Sequence, residues 1–387
     1  MRPTPLTIVV SGTIASVPGH GGWSWVILQY VLGLRRLGHR VVLVDPVAPS
    51  ALRPAGSRLH ESVNARYFSS VVRRFGIEDA SSLLLTDGVR DTVGLAYADI
   101  ADAMREADVL INVSGVLREE RLLALARRRV YLDLDPAFTQ LWHAVQGIDM
   151  GFQHHTDFAT IGPAIGTAEC EVPSCGMDWI ATWQPVVLER WPVANGTHGG
   201  ALTTVANWRG YGSIEHAGVS YGQKVHAWRA FMTLPTRTNQ RIVVALGIDS
   251  GDVRDLEALA ANGWELVDPA HVAATPDAYQ GFIQGSKAEI GIAKSGYVAS
   301  RTGWVSDRSI CYLASGRPVL AQETGFSRFL PTGEGLLPFE TLDQALDGIA
   351  RFDADYARHA RAARALAETY FDSDKVLSQL LARLGLA

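Results

Sequence analysis

The 387-residue sequence has few cysteines, few lysines and no long apolar run. Its three cysteines are too few for the disulfide framework of a secreted scaffold. Cys170 and Cys175 have no histidine or cysteine pair at finger spacing, so we expect no structural zinc site. No run approaches the roughly 20 apolar residues of a membrane span, and the N-terminus lacks the apolar core of a secretory signal. These features predict a cytoplasmic protein without a membrane span.

The charge balance argues against polyanionic partners. The formal net charge is -5, so the sequence predicts no nucleic-acid partner. Lysine occurs only at four positions: Lys224, Lys287, Lys294 and Lys375. Arginine supplies the remaining positive charge, which favours a bacterial source with a GC-rich genome. With 47% hydrophobic and 19% charged residues, the chain is able to bury a large core and to form about two domains.

Strand and helix patterns alternate along both halves of the chain. Residues 6–10 and 40–45 read as strands around a helix at 23–37 that ends at Gly38. Such a short unit predicts a right-handed crossover in a parallel sheet. Further predicted strands lie at 109–113, 129–133, 158–161, 202–206, 241–246, 264–267, 289–292 and 318–322. Further predicted helices lie at 62–75, 96–106, 119–128, 222–234, 252–261, 276–284, 307–314 and from 342 onward.

A proline-rich stretch at residues 171–197 separates the two halves. We therefore predict two Rossmann-like α/β domains with doubly wound parallel sheets, at residues 1–190 and 191–387, with helices closing the chain. In such sheets ligands bind beyond the carboxyl ends of the strands. The cleft between the two domains is thus the expected ligand site.

Loops after predicted strands carry the first candidate binding residues. Gly21 and Gly22 end a glycine-rich loop directly before a helix, where a phosphate or sugar is able to approach free backbone N–H groups. The loop at 267–272 offers backbone groups for reading a base edge. The candidates that follow strands of the second half are Asn207, Trp208, Pro269 and His271.

Two later loops carry candidate anion-binding groups. Lys294 directly follows the strand at 289–292, and a rare lysine at a strand end predicts phosphate contact, with Arg301 nearby. Ser306 stands at the N-cap position of the helix at 307–314. The N–H groups expected to hold a pyrophosphate there are those of Asp307, Arg308 and Ser309. A carboxylate in the first of these positions competes with an anion for the same helix end.

Residues 313–319, Leu-Ala-Ser-Gly-Arg-Pro-Val, are similar to the helix-turn-strand near the donor site of GT-B-fold glycosyltransferases. The two halves, the linker and the closing helices extend that resemblance over essentially the whole chain. Residues 21–25, 133–136 and 325–335 resemble an actinobacterial group of nucleotide-sugar-dependent glycosyltransferases. The resemblance implies a UDP-, dTDP- or GDP-sugar donor held by the second half and an acceptor held by the first. It implies no obligatory metal and no other cofactor.

The resemblance also implies catalytic residues. Many retaining members carry a Glu-x7-Glu pattern, and here Gly303 and Cys311 occupy those positions, so we favour an inverting hexosyltransferase. Inverting relatives place a histidine after the first strand, oriented by an aspartate from a later strand. His20 matches that histidine and would act as base. The matching aspartate is Asp133 or Asp135. Candidates for sugar and acceptor contacts are Glu323 for the sugar and His155 and Trp23 for the acceptor.

Other functions stay open at this level. A nucleotide-sugar 2-epimerase has the same two-domain fold, uses carboxylates near the sugar and needs no acceptor. A non-catalytic sugar or nucleotide receptor also has two α/β lobes but requires export. An NAD oxidoreductase is disfavoured because the first strand is not followed by G-x-G-x-x-G. The preferred acceptor is a small molecule of secondary metabolism, and the sequence leaves a homodimer open.

Overall fold

The computed structural model describes residues 5–86, 88–196, 200–210 and 212–386. Residues 1–4 and 387, the outer ends of the predicted domains, lie outside this description. Two parallel sheets face each other and confirm the predicted α/β class. Within the described residues, no helix combines the length and apolar character needed to cross a membrane.

The first sheet has eight strands in the order β4-β3-β2-β1-β5-β6-β7-β8. All neighbours are parallel except the edge pair of β3 and β4, which is antiparallel. Ile8, Val9 and Val10 in the central strand are fully buried, because helices cover both faces of the sheet. The strands are β1 (Thr7–Ser11), β2 (Arg40–Val47), β3 (Ser81–Leu85), β4 (Thr92–Gly94), β5 (Val109–Val113), β6 (Arg129–Asp133), β7 (Asp157–Thr160) and β8 (Trp179–Ala181).

The second sheet has six parallel strands in the order β13-β12-β9-β14-β15-β16, and β10 and β11 form a separate hairpin. Register pairs such as Val244 with Thr204 align its central strands. The strands are β9 (Leu202–Asn207), β10 (Ile214–His216), β11 (Val219–Tyr221), β12 (Ile242–Gly247), β13 (Glu265–Val267), β14 (Ala288–Gly291), β15 (Val319–Gln322) and β16 (Leu336–Phe339).

Helices connect the strands and close the chain. Those of the first part are α1 (Gly21–Arg36), α2 (Val63–Arg74), α3 (Tyr97–Glu106), α4 (Glu120–Leu123) and α5 (Phe138–Ala144). The second sheet is accompanied by α6 (Lys224–Trp228), α7 (Val253–Ala261), α8 (Pro269–Val272), α9 (Pro276–Gln284), α10 (Ser295–Ser300) and α11 (Asp307–Ala314). The last three are α12 (Leu342–Ala354), α13 (Tyr356–Leu366) and α14 (Ser373–Arg383).

Several elements differ from the sequence patterns. The helix expected at 119–128 is the single turn α4, and that expected at 222–234 is the short α6 followed by 3-10 turns. The short strands β4 and β8, the hairpin, and the elements β3, β16 and α10 carried no pattern that predicted them. β8 is too short for an alternation to show, and it lies inside the proline-rich stretch. Its pairing with β7 is a long-range contact that only the folded chain supplies.

A continuous apolar core joins the two sheets. Trp25 of α1 packs at 5.1 Å between ring centroids against Trp191, which in turn contacts Tyr279 of α9. The Trp25 indole donates a 2.9 Å hydrogen bond to the carbonyl of Pro276. The last helix, α14, returns to the first half and packs on α1, where Leu377 and Ser373 meet Gly33. The cleft walls are therefore held by a shared core.

Candidate active site

A cleft of about 710 Å³ lies between the carboxyl ends of the two sheets. Strand order reverses beside β1 in the first sheet and beside β9 in the second, so the following loops diverge at both places. His20 follows β1 and Asp135 follows β6 on one wall. Asn207 ends β9 and Lys294 follows β14 on the other. The topology thus brings together side chains that are far apart in sequence.

Three basic side chains, Lys224, Lys294 and Arg308, line the wall of the second sheet. The Lys224 ammonium donates to the carbonyl of Ile292, and no carboxylate pairs with it among the described residues. Burial and the neighbouring cations Arg308 and Lys294 lower the pKa of Lys224 well below its usual value. Burial also lowers the pKa of Lys294. An anion bound between these groups would favour their charged forms, so this wall suits a phosphate or diphosphate.

Arg308 is held in place by a buried carboxylate. Its Nε lies 2.6 Å from Oε1 of Glu289, which is fully buried on β14. Another guanidinium nitrogen donates a 2.9 Å hydrogen bond to the carbonyl of Val205. These two contacts fix the plane of the guanidinium at the cleft.

The start of α11 is already occupied by a carboxylate. The Asp307 side chain stands in the first turn of α11 and lines the cleft, and burial raises the pKa of its carboxyl. Ser306 stands at the N-cap, but its side chain does not cap the helix and lies 3.5 Å from Asp307 Oδ1. Ser309 is buried and does not line the cleft. The basic side chains, and not the first N–H groups of α11, therefore form the better anion site.

Asp135 joins the two walls. Its Oδ1 accepts a 2.5 Å hydrogen bond from the Tyr297 hydroxyl and lies 3.8 Å from Lys294 Nζ. Tyr297 stacks on Trp304, with ring centroids 4.0 Å apart and an angle of 15° between the planes. All four side chains line the cleft. Asp135 is thus a bridge between the halves, and nothing in its described contacts orients His20.

The predicted pair of His20 and Asp133 is not formed. His20 lines the cleft, and its side chain makes no hydrogen bond with another described residue. Partial burial lowers the pKa of its imidazole. Asp133 is fully buried and accepts hydrogen bonds of 2.6–2.9 Å from Thr139, Gln140 and Thr160. Its carboxylate organises the start of α5 and the end of β7, so His20 faces the cleft without it.

Comparison with solved structures finds full-length similarity at low sequence identity. Anabaena HepE in complex with UDP-glucose is 11% identical, with a TM-score of 0.61 over 99% of this chain and 100% of that one. An alpha-glucosyltransferase in complex with UDP and a 13-mer DNA is 10% identical, with a TM-score of 0.61 over 98% and 99%. Sucrose-phosphate synthase from Thermosynechococcus elongatus is 11% identical, with a TM-score of 0.55 over 98% of both chains. The fold is GT-B.

No protein-family model and no curated protein sequence matches the chain. At these identities the solved structures establish the GT-B fold, and the chemistry must be argued from the side chains of this chain. Among the described residues, no three His, Cys, Asp or Glu side chains are grouped to hold a metal ion.

The glycine pair of the first loop serves the contact between the two GT-B halves. Gly21 donates a 2.8 Å hydrogen bond to the carbonyl of Ala273, and a Cβ there would stand 2.0 Å from the carbonyl oxygen of Thr275. A Cβ on Gly22 would stand 2.7 Å from the Tyr279 ring. Neither glycine lines the cleft, whereas Gly19 does. The expected phosphate contact at Gly21 and Gly22 is therefore replaced by close helix packing.

Five more predicted site residues lie off the cleft: Trp208, His271, Arg301, Glu323 and His155. The Trp208 indole is in the core and donates to Asp255 at 2.9 Å. Arg301 ends α10 with a φ of +47° and pairs with Glu340. Glu323 is buried and accepts a 2.5 Å hydrogen bond from the N–H of Gly325. His271 is exposed in α8. These residues shape loops or the core and do not reach a ligand in the cleft.

His155 has a structural role. Its Nδ1 lies 2.8 Å from the carbonyl of Gly151, and its Nε2 accepts from the Asn112 amide at 3.0 Å. The Gly151 carbonyl requires the proton on Nδ1, and the Asn112 amide requires a lone pair on Nε2, so the ring is neutral. Burial lowers the pKa of His155 to about 4. Trp23, the other residue assigned to the acceptor, does line the cleft.

Sequence reasoning missed several cleft residues of the GT-B chain. Lys224 was hidden because it lies in a predicted helix and does not follow a strand. The signal that could have found it is the scarcity of lysine in the sequence, because two of the four lysines line the cleft. Gln184 lies in the proline-rich stretch and accepts from the Tyr30 hydroxyl, a contact that depends on tertiary structure. Asn207 and Pro269, which the sequence did single out, line the cleft as expected.

Proposed function

We propose that the protein transfers a hexosyl group from a nucleoside-diphosphate sugar to a hydroxyl group of a small-molecule acceptor, without a metal ion and with inversion. The observation that carries this proposal is the convergence of Lys224, Lys294 and Arg308 opposite His20 across one cleft. The complexes of GT-B neighbours with UDP and UDP-glucose support a nucleotide-sugar donor.

The donor lies on the wall of the second sheet in this proposal. Lys224 and Lys294 bind the diphosphate, and Arg308, fixed by Glu289, supplies a further positive charge. Their charges stabilise the negative charge that builds up as the diphosphate departs, which is the role a metal ion would otherwise fill. The nucleoside extends toward Asn207 and Pro269.

His20 is the proposed base on the opposite wall. The acceptor oxygen attacks the anomeric carbon and forms the new glycosidic bond, while the bond from that carbon to the diphosphate oxygen breaks. Its electron pair leaves with the nucleoside diphosphate, and the acceptor proton moves to the imidazole. Because partial burial lowers the pKa of His20, the imidazole is neutral near pH 7 and able to take that proton.

Binding of UDP, dTDP and GDP by calorimetry tests the donor site. We expect one nucleotide to bind, and Lys224→Met or Lys294→Met to weaken it by about 10- to 100-fold, as for a lost charge-assisted hydrogen bond. Lys375→Met is the matched control, because that lysine lies on α14, donates to the carbonyl of Glu368 and does not line the cleft. Equal loss in all three variants, or no binding by any nucleotide, would contradict the proposal.

Turnover separates the remaining functions. Product NMR is expected to show inverted anomeric configuration, and His20→Ala to lower kcat by about 100-fold or more. On the acid side of the profile, the rate should fall only below pH 6.5, because the pKa of His20 lies below that usual value. Conversion of the donor into an epimer without any acceptor would indicate an epimerase, and binding without turnover would indicate a receptor.

A further inference from the structure

We propose that the acceptor is a neutral, compact, largely apolar alcohol, seated on the wall of the first sheet. This inference rests on the proposed function and names the substrate class of the same cleft. The two walls differ in chemistry. Lys224, Lys294 and Arg308 all belong to the second wall. Among the described residues of the first wall, the only titratable side chains are His20 and Asp135.

Helix α1 supplies an apolar edge to the cleft. Trp23, Val26 and Ile27 have the i, i+3 and i+4 spacing that places side chains on one face of a helix, and all three line the cleft. Trp23 is 47% exposed, and Val26 is partly exposed. A large aromatic side chain left open at a cleft mouth offers apolar area that a ligand is able to cover.

The loops after the strands continue this edge. Val116 follows β5 and Leu134 follows β6, and both are partly exposed and line the cleft. With the α1 residues they form a patch that we call the apolar wall: Trp23, Val26, Ile27, Val116 and Leu134. His20 stands immediately before α1, so a hydroxyl on a ligand of the apolar wall lies beside the proposed base.

Only two of the polar side chains near this wall are engaged by neighbours, whereas those of Thr13, His20 and Ser114 make no hydrogen bond with another described residue. Gln184 Oε1 accepts from the Tyr30 hydroxyl, and Asp135 Oδ1 accepts from Tyr297. A saccharide acceptor needs many hydrogen-bonding groups, and the apolar wall offers it only the Trp23 indole. A phosphorylated or nucleic-acid acceptor needs cations, which the first wall lacks among its described residues. The cleft of about 710 Å³ must also hold the donor, which favours a compact acceptor.

Binding of four probes to the full-length protein tests this inference. The probes are naphthol, menthol, maltose and an oligothymidylate, each titrated with and without the nucleotide that binds. We expect naphthol or menthol to bind and maltose and the oligothymidylate not to bind. Trp23→Ala should weaken the apolar probe by about tenfold, the loss expected for uncovering part of an aromatic side chain.

Val116→Asp adds a charge to the apolar wall and should weaken the apolar probe by a similar or larger factor. Val253→Asp is the matched control, because Val253 is 53% exposed on α7 and does not line the cleft. Nucleotide affinity should stay unchanged in Trp23→Ala, since the donor occupies the other wall. If no nucleotide binds to the unsubstituted protein, the proposed function is refuted. Titration of the apolar probes without nucleotide still tests whether the apolar wall binds them.

Two results would overturn the acceptor class. One is that a nucleotide binds but neither naphthol nor menthol does, whether or not maltose or the oligothymidylate binds. The other is that the Trp23→Ala and Val116→Asp variants bind the apolar probe with the same affinity as the Val253→Asp control. Affinity that falls only in the two wall variants supports it.

Discussion

Replacing Gly21 by alanine should separate the two halves of the protein locally. The new Cβ would lie 2.0 Å from the Thr275 carbonyl oxygen, 2.3 Å from its carbon and 2.8 Å from the Pro276 nitrogen. All three are backbone atoms, so no side-chain rotation relieves the overlap. Ordinary contact begins near 3.4 Å, so the start of α1 must withdraw from α9 by about 1.4 Å. The bonds from Gly21 to Ala273 and from Trp25 to Pro276 lengthen with it.

Overpacking of this kind costs about 1–3 kcal/mol, and a change of that size lowers the thermal midpoint by roughly 1–4 °C in a chain of this length. Gly22→Ala should cost less, because its Cβ meets the Tyr279 ring, a side chain, at 2.7 Å. Differential scanning calorimetry of the full chain measures both effects.

Gly281→Ala is the matched control on the helix that Gly21 approaches. Gly281 lies inside α9, is exposed, and a Cβ there meets nothing within 4 Å. Alanine should stabilise that helix by about 0.5–1 kcal/mol. The reasoning would be refuted if Gly21→Ala left the thermal midpoint unchanged and instead weakened nucleotide binding, since that is the behaviour of a phosphate-binding glycine.

Three further substitutions test buried polar groups. Burial raises the pKa of Asp45 from 3.8 to about 7, so stability falls as pH rises through that range, and Asp45→Asn should remove that loss in thermal-midpoint profiles. His155 behaves oppositely: its pKa is lowered from 6.5 to about 4, stability falls as pH drops through that range, and His155→Gln should flatten the acid side of the profile. Glu289→Gln should cost about 1.5–3 kcal/mol in urea unfolding, because Arg308 loses a charged partner, and Glu265→Gln on an exposed pair should cost far less. Profiles parallel to those of the unsubstituted protein, or equal costs for the two glutamates, would contradict these readings.

Much of the fold follows from local patterns. The run Ile8, Val9 and Val10 predicted a strand of a parallel sheet, and these residues are buried. Gly38, with a φ of +92°, follows the first helix at the position where the sequence predicted its end. These features depend on residues close together in sequence. The spacing of apolar residues and the backbone preference of each residue are local properties, so they do not depend on where the segment lies in the fold. The short strands β4 and β8 carry no such period and exist because longer strands offer them an edge.

The site was predictable in position but less so in its residues. Strand ends pointed to Lys294 and Arg308, and the family resemblance pointed to Asp135, and the structure brings all three to one cleft. Asp133 has the same chemistry as Asp135 and lies two residues earlier. It is enclosed because Thr139, Gln140 and Thr160 donate to it. No sequence pattern distinguishes an enclosed carboxylate from one that faces a ligand.

The sequence by itself determined the alternation of strands and helices, the two-sheet α/β class and the location of a cleft at the carboxyl strand ends. Tertiary structure alone decided that Gly21 packs against Thr275, that Lys224 joins the cation group and that His20 faces the cleft without Asp133. The physical reason is the distance along the chain between the interacting residues. Secondary structure follows from neighbours along the chain, whereas the exposure and charge of a side chain depend on groups that the fold brings from distant segments.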